Sequence, residues 1–375
     1  MRRPDAADVR EAARHLDAVA RVPRPAGGEA EAAARAYCRA ELERVGFATR
    51  EEAFAYSALP GRWATPAFGV VSLAALGLAG HLGARGHGAA ALGVLATTLL
   101  ALAVAGLVIA RRGVLGLGAL RERSVNLVAE RGAAVAARRV WLVAHLDSKS
   151  QPAPMLARVG GIVASALLWL AALAMAGAQA LGAFTPPFVA WGAVSALGAL
   201  AALPVIASVV GARSPGTIDD GSGVATVLLA AARLSRDIPL GVLLTSAEEL
   251  GLAGARAWAA SATPAIALNV DGVDDTGELR WMLTGPGDEA FARALRGADG
   301  IRVGGLIPGL LVDAVALADA GWAAATLSRG TLATLRVIHT PADSRERLTG
   351  DGVAQASGVL ASTAIALARA QAHES

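Results

Sequence analysis

Four long runs of apolar residues interrupt a sequence that is otherwise mixed in polarity. The runs extend from about Thr65 to Leu82, Ala89 to Ala110, Val159 to Leu181 and Phe188 to Val210. They show neither helical nor strand alternation, and each approaches the roughly 20 residues that a helix needs to cross a bilayer. The first is the weakest, because it contains Pro66, several glycines and His81. The runs predict two transmembrane hairpins, and buried helices of a soluble protein are the alternative interpretation.

The remaining segments have the pattern of an α/β domain. Short apolar runs predict strands at Asn126–Ala129, Val140–Ala144, Leu240–Thr245, Ala265–Val270 and Ala323–Leu327. Helical patterns at Val224–Leu234 and Leu250–Ala259 separate some of them, which favours a mostly parallel central sheet flanked by helices. We therefore predict one α/β domain formed by residues 1–62, 113–157 and 213–375, interrupted by hairpins at 63–112 and 158–212.

Composition supports the membrane prediction and excludes other classes. Apolar residues make up 54% of the chain but aromatic residues only 4%, and soluble domains have about 45–50% apolar residues. The net charge is only +3, and no basic block with interleaved aromatic residues occurs, so nucleic acid is excluded as a partner. The single cysteine, Cys38, rules out an intrachain disulfide and is expected in the core. Residues 1–14 lack the apolar segment of a signal peptide, so the internal runs must drive insertion.

Arginines are distributed unequally around the apolar runs. The side that carries the polar segments has Arg62, Arg111, Arg112, Arg121, Arg123, Arg158 and Arg213. The opposite loops have only Arg85. This bias predicts a multi-pass protein of the cell membrane with its polar domain on the cytoplasmic side. A transporter is the less favoured alternative, because His81 is almost the only ionisable residue within the runs and transport paths usually need several.

Polar residues that could carry chemistry follow several predicted strands. His145 and Asp147 follow the strand at Val140–Ala144, and ligands bind at the carboxyl ends of parallel strands. Since one residue separates them, both side chains project from the same face. An imidazole can bind a metal through one nitrogen while a carboxylate holds the other N–H. An ordinary polar loop would explain this pair alone equally well.

Two pairs of acidic residues stand at the beginning of predicted helices. Asp219 and Asp220 open the sequence Asp-Asp-Gly-Ser-Gly, where acids and serine are also ordinary helix caps. Glu248 and Glu249 follow the strand at Leu240–Thr245 and could be first-turn acids on a solvated surface. In an extended turn, however, such neighbours point in different directions. One could then bind a metal while the other handles a water proton.

Asp271 and His339 complete the set of candidate residues. Asp271 ends the strand at Ala265–Val270, where a carboxylate is costly unless it is paired or used. His339 precedes Thr340-Pro341 in a predicted loop. Taken together, two histidines and three carboxylates are a suitable ligand inventory for two zinc ions, which favour nitrogen and oxygen donors in mixed sites. One further glutamate would supply a general base.

Five motifs occur in an order that resembles the M28 family of zinc aminopeptidases. They are His145-Leu146-Asp147, Asp219 to Gly223, Glu248 to Gly251, Asn269-Val270-Asp271 and His339-Thr340-Pro341. Each motif alone is weakly specific, but five in order are strongly specific. The resemblance covers most of the polar sequence, including the N-terminal helices and Asn126–Ala129, and does not cover the four apolar runs.

The resemblance implies a metal-binding role for five residues. His145 and Asp271 would bind one zinc ion, and Glu249 and His339 would bind a second. Asp219 would bridge the two ions, so that two Zn²⁺ would be the cofactors.

The resemblance also implies the chemistry. Glu248 would be the general base, Asp147 would orient His145, and the Asp219–Asp220 peptide would be cis. The expected function is a membrane-anchored metallopeptidase of the aminopeptidase type, which hydrolyses N-terminal peptide bonds. Because the second hairpin lies between Asp147 and Asp219, we also expect a membrane-proximal site for peptide substrates.

Two alternatives to the aminopeptidase prediction remain at this stage. One is a related amide-acting enzyme, of the glutaminyl-cyclase-like or carboxypeptidase-like type. The other is a catalytically silent receptor or scaffold on the same fold, which is disfavoured because all five ligands and Glu248 are present. The oligomeric state is not specified by these motifs, nor is the side-chain preference.

Overall fold

The computed structural model describes residues 4–132, 139–297, 301–307 and 309–374. Its strands are β1 Ala48–Ser57, β2 Arg121–Arg131, β3 Val140–His145, β4 Leu240–Thr245, β5 Ile266–Val273, β6 Glu278–Leu283, β7 Arg302–Gly305 and β8 Ala323–Gly330. Its helices are α1 Ala6–Val19, α2 Glu29–Arg44, α3 Leu59–Ala84, α4 Gly88–Gly116, α5 Met155–Ala180, α6 Phe188–Ile206, α7 Ser222–Arg233, α8 Ala253–Ala259, α9 Glu289–Arg296, α10 Asp313–Asp319, α11 Thr334–Val337 and α12 Asp351–Glu374.

The chain forms two compact units. The first, here called the α/β unit, comprises Met1–Tyr56, Arg121–Ser150 and Ala212–Ser375. The second, here called the helical unit, comprises Ser57–Leu120 and Gln151–Gly211. Each unit is described separately below.

The α/β unit is built on an eight-stranded sheet with the strand order β1-β2-β4-β3-β5-β8-β6-β7. Strand β3 lies between β4 and β5 and is parallel to both, and β5 is parallel to β8. β2 and β6 join this parallel centre in antiparallel orientation. The prediction of a mostly parallel sheet is therefore confirmed. Parallel pairing places the carboxyl ends of β3, β4 and β5 at one edge, where a binding site is expected.

The two faces of the sheet are buried by alternate residues of the central strands. Leu142, Ala144 and Leu244 belong to one core cluster, which also includes buried residues of α2, α7 and α12. Trp141 and Val143 point to the other face, where Trp141 packs against Trp258 and Trp322 with ring centroids 4.5 and 6.4 Å away. Burial on both faces explains why these strands are continuous apolar runs in the sequence.

Helix α12 is long and apolar enough to cross a membrane. It nevertheless contributes Ala356, Leu360, Ala364 and Leu367 to the core of the α/β unit, and more than half of its apolar window is buried. These contacts identify α12 as a core helix of this unit.

The helical unit contains the four helices that correspond to the four predicted apolar runs, α3 to α6. Its interior consists largely of small residues together with Trp169 and Trp191. Within this interior, Trp169 Nε1 donates a hydrogen bond to Ser72 Oγ at 2.8 Å. Leu76 and Leu95 are buried in this interior, but many other leucines face outward, such as Leu100, which is 65% exposed. Small residues inside and large apolar residues outside are typical of helices surrounded by lipid.

Helix boundaries differ from the predicted ones at several ends. Helix α3 begins at Leu59, six residues before the predicted run, and α6 ends at Ile206 rather than near Val210. The predicted helix at Leu250–Ala259 begins only at Ala253, because Gly251 and Leu252 both have positive φ angles of 107° and 59°. A left-handed backbone cannot continue a right-handed helix, so the first turn of the prediction is wrong.

Candidate metal centre

His145 is the last residue of β3, and its buried imidazole lies at the carboxyl edge of the sheet. Nδ1 is 3.0 Å from the backbone carbonyl oxygen of Asp147, which fixes this nitrogen as the donor. Nε2 is 3.1 Å from Oδ1 of Asp219 and 3.9 Å from Oε2 of Glu248. The nitrogen that remains available for a metal therefore points toward the acidic residues.

Asp219 lies in a short irregular turn before α7, and the Asp219–Asp220 peptide is cis, as the sequence resemblance implies. The turn is held by a neighbouring carboxylate: Asp343 accepts hydrogen bonds from the backbone N–H of Ile218 at 2.7 Å and of Asp219 at 3.2 Å. The side chain of Asp219 is thereby free to face both His145, at 3.1 Å, and His339, at 2.9 Å.

Asp220 is fully buried and connects three segments that carry candidate ligands. Its Oδ2 accepts a hydrogen bond from the backbone N–H of His145 at 3.2 Å. Its Oδ1 accepts from Gly223 at 2.9 Å and from Gly272, the residue after Asp271, at 3.2 Å. Asp220 therefore differs from Asp219 in its role. Asp220 holds backbone N–H groups in position, whereas Asp219 faces the two histidines.

Asp147 acts mainly on the two glutamates. Its Oδ1 accepts a hydrogen bond from the backbone N–H of Glu248 at 3.1 Å, and its Oδ2 accepts from Glu249 at 3.2 Å. Its carboxylate lies 3.6 Å from Nδ1 of His145, farther than its own carbonyl oxygen. Asp147 therefore fixes the turn that presents Glu248 and Glu249, while its carbonyl oxygen orients the histidine.

The five predicted metal ligands converge in two groups that share one residue. His145, Asp219 and Asp271 form one group, and Asp219, Glu249 and His339 form the other. Within each group the potential ligand atoms lie within 4.8 Å of one another. Glu248 is beside the first group through its contact with His145.

A third group of potential ligands, Glu11, His15 and Glu41, lies on α1 and α2. Here Arg14 donates hydrogen bonds to both glutamates at 2.6 to 3.0 Å. Because Arg14 pairs with both carboxylates and Arg44 also pairs with Glu41 at 2.9 Å, this group is an ion-pair network around His15.

Electrostatics divide the carboxyl groups of the site into two kinds. Burial opposes ionisation of Asp219, but hydrogen bonds with His145 and His339 outweigh it and hold the pKa of Asp219 well below its usual range. Burial also opposes ionisation of Glu249, yet the charges of His339 and Lys149 lower its pKa to about 2.

Two other carboxyl groups have raised pKa values. Burial raises the pKa of Glu248 well above its ordinary value, and the neighbouring charge of Glu249 adds to this effect. Burial and the charge of Asp219 raise the pKa of Asp271 to about 7. Environments that separate the pKa values of adjacent carboxyl groups are typical of catalytic sites.

Several residues that hold the site together are absent from the sequence-based prediction. Arg24 is buried and donates to the backbone carbonyl oxygens of Leu146 at 2.7 Å, Pro215 at 2.7 Å and Gly216 at 3.1 Å. It thereby links the segment that follows β3 to the segment that precedes Asp219. No short motif identifies such an arginine, because its partners are main-chain atoms far away in the sequence.

Two further residues were also missed as parts of the site. Lys149 forms an ion pair with Glu249 at 2.7 Å. Because it is the only lysine of the chain, the sequence could have marked it as a candidate site residue. Asp343, which braces the turn at Asp219, follows the His-Thr-Pro motif by two residues.

The donor set fits divalent zinc. Imidazole nitrogen and carboxylate oxygen are its ordinary non-sulfur ligands, and the three carboxylates offset the charge of more than one cation. Within the described residues, the buried Oε1 of Glu249 faces the second group and receives no well-aligned hydrogen bond, although Nε2 of His339 lies 3.2 Å away. A buried carboxylate oxygen without a donor is costly, and a bound cation would remove that cost.

Comparison with solved structures shows which fold this is. The chain is similar to an aminopeptidase from Aneurinibacillus sp. strain AM-1, with a TM-score of 0.55 and 14% identity over 96% of this chain and 93% of that one. It is also similar to BSAP, a zinc aminopeptidase from Bacillus subtilis, with a TM-score of 0.54 and 14% identity over 95% of this chain and 94% of that one. At such identities, the likeness establishes the α/β fold with its mostly parallel sheet.

The sequence profile described as Peptidase family M28 matches residues 203–364. This range contains Asp219, Glu248, Glu249, Asp271 and His339, whereas His145 precedes it. Curated proteins give no significant match. Residues 203–364 therefore match a peptidase domain of family M28, and this match together with the fold supports a metallopeptidase, which is a class of hydrolase.

Proposed function

We propose that the protein is a membrane-anchored zinc aminopeptidase that uses two zinc ions. The observation that carries this proposal is the pair of ligand groups joined by Asp219. A bridging carboxylate flanked by two further ligands on each side suits two ions held close together. His145 and Asp271 would hold one ion, and Glu249 and His339 the other.

Two zinc ions bound at these residues would acidify a water molecule and polarise the carbonyl group of a peptide bond. Glu248 would take up the proton of the attacking water and return it to the leaving amine. Its position supports this role, because Oε2 of Glu248 lies 3.9 Å from Nε2 of His145 and its backbone is fixed by Asp147. Its raised pKa favours proton uptake.

Membrane anchoring is proposed from the helical unit. Helices α3, α5 and α6 and the first 22 residues of α4 are each long and apolar enough to span a bilayer. Only 6% of the apolar window of α4 is buried inside the protein. An apolar helix that is left so uncovered needs a surrounding apolar phase, and lipid supplies one.

The test compares the detergent-purified protein with a Glu248→Gln variant. We expect about two zinc ions per chain in both proteins. Aminopeptidase activity of the variant should fall by about 10²- to 10⁴-fold, because an amide cannot act as the base. Metal content is measured by atomic absorption, and activity on aminoacyl substrates and on peptides with free or blocked N-termini.

The same assay separates the alternatives. Cyclisation of an N-terminal glutaminyl peptide without hydrolysis would indicate a glutaminyl-cyclase-like enzyme, and release of C-terminal residues would indicate a carboxypeptidase-like one. A wild-type protein with one zinc ion, or with none, would contradict the two-zinc proposal.

A further inference from the structure

Lys149 is the only lysine of the chain, and the proposed reaction does not use it. Its Nζ lies 2.7 Å from Oε2 of Glu249 and 3.4 Å from the backbone carbonyl oxygen of the same residue. The side chains of Lys149 and Glu249 are only 18% and 5% exposed. Since removing a lysine from water has a free-energy cost that a buried pair often does not recover, a stabilising role alone is a weak explanation.

The two carboxylate oxygens of Glu249 have different surroundings. Oε1 is 3.2 Å from Nε2 of His339 and faces the ligand group that includes Asp219. Oε2 is occupied by the ammonium group of Lys149. The backbone N–H of Glu249 is held by Asp147. The glutamate is thus fixed at its main chain and at one oxygen, and the other oxygen is left for a metal.

We propose that Lys149 is a positioning residue that restricts Glu249 to binding metal through Oε1 alone. A carboxylate can bind a cation through one oxygen or through both. The ammonium group on Oε2 withholds that oxygen from the metal by charge and by hydrogen bonding.

The consequence concerns the free coordination positions of the ion. A catalytic zinc site differs from a structural one in keeping a position open for water or substrate. If Glu249 bound through both oxygens, the additional oxygen would occupy such a position. Lys149 would therefore protect the opening in which the proposed chemistry takes place. This inference rests on the proposed function, since it assumes that Glu249 binds a metal.

The test uses the intact, detergent-purified chain loaded with Co²⁺ instead of zinc. The visible absorption of Co²⁺ weakens as its coordination number rises, so it reports an added carboxylate oxygen independently of peptidase activity. In Lys149→Met, a side chain of similar length lacks the charge and the donors. We expect weaker absorption per bound cobalt at unchanged cobalt content, and recovery of the wild-type spectrum in Lys149→Arg.

A matched control removes a cation elsewhere. Arg256 forms an ion pair with Asp319 on the surface, at 3.3 Å. Arg256→Met should leave the cobalt spectrum unchanged, and a change there would show that loss of any cation perturbs the site and would overturn the assignment to Lys149.

Other outcomes also decide the matter. Unchanged absorption in Lys149→Met at full cobalt content would overturn the inference. Loss of a cobalt ion from Lys149→Met would also overturn the inference. Lys149 would then be needed for metal binding itself rather than for restricting how Glu249 binds the metal. If Lys149→Met does not fold, Lys149→Gln takes its place with the same expected weakening, since a neutral amide holds a carboxylate less strongly. A wild-type chain that binds no cobalt would contradict the proposed function as well.

Discussion

His15 of α1 is a buried histidine outside the metal centre, and its surroundings keep it neutral. Its Nδ1 lies 2.8 Å from the hydroxyl group of Tyr37, which also accepts a hydrogen bond from Arg14 at 2.8 Å. Burial lowers the pKa of His15 from 6.5 to about 4, and the charge of Arg14 contributes to this.

This depressed pKa predicts acid destabilisation. The unfolded chain binds a proton at His15 near pH 6.5, whereas the folded chain does so only near pH 4. The resulting stability is fully present above about pH 6.5 and is lost as the pH falls toward 4, by up to about 3 kcal/mol. In His15→Phe, the unfolding free energy should change less over this range than in the wild type, as measured by urea titration at several pH values. Equal slopes for the two proteins would contradict the prediction.

At the residue scale, the sequence predicted which side chains lie together at the candidate metal centre. It did not predict the hydrogen bonds that hold them in position. Four of the five candidate metal ligands follow predicted strands or open predicted helices, so their positions at one sheet edge could be deduced from the sequence pattern, whereas His339 lies in a loop and was found only through its motif. The partners of Asp147 could not be deduced, because its carboxylate accepts hydrogen bonds from Glu248 and Glu249, about a hundred positions later. Such contacts depend on the register of β3 against β4, which becomes known only in the folded sheet.

The first turn of α7 is an element whose packing controls the site. A Cβ atom added at Gly223 would lie 2.2 Å from Oδ1 and 2.3 Å from Oδ2 of Asp220. Asp220 is the residue that holds the backbone of His145 and Gly272. Glycine is therefore required at this helix position by close approach, although its φ angle is not unusual.

We therefore expect Gly223→Ala to displace Asp220 and to damage both stability and metal binding. Overpacking of this kind costs about 1–3 kcal/mol, and zinc content and peptidase activity should fall with it. The matched control is Gly304→Ala in β7, where an added Cβ would meet nothing within 4 Å. Thermal unfolding and zinc analysis of both variants provide the measurement, and equal behaviour of the two would refute the role given to Gly223.

At the element scale, strands that are buried on both faces were easier to predict from the sequence than strands with an exposed face. The central strands β3, β4, β5 and β8 are covered on both faces and were predicted from continuous apolar runs. Strand β6 was missed, because exposed Glu278 and Arg280 alternate with buried Leu279 and Trp281. Such a short alternating segment resembles a loop when only apolar runs are sought. Strand β6 lies between β8 and β7, outside the parallel centre of the sheet, so the weaker signal belongs to strands with one exposed face.

At the scale of the whole molecule, the two ends of each segment that interrupts the α/β unit lie close together. In the α/β unit, Arg213 donates its backbone N–H to Ser150 Oγ at 2.9 Å, and these residues flank the second interruption. In the helical unit, Ala58 donates to the backbone carbonyl oxygen of Leu120 at 3.0 Å, near the ends of the first. The two ends of each interruption are thus adjacent, and strands and helices of the α/β unit continue on either side of it.

The proposed orientation can be measured because the chain has one inert cysteine. Cys38 is buried, and burial raises the pKa of its thiol to about 12, so it should not react with maleimides. Ala183, between α5 and α6, and Ser261, after α8, are both exposed. If the α/β unit is cytoplasmic, as the arginine distribution predicts, an impermeant maleimide should label Ala183→Cys in intact cells and Ser261→Cys only after lysis. The wild-type chain is the background control. Labelling of Ser261→Cys alone in intact cells would reverse the orientation, and labelling of both would contradict the four-span topology.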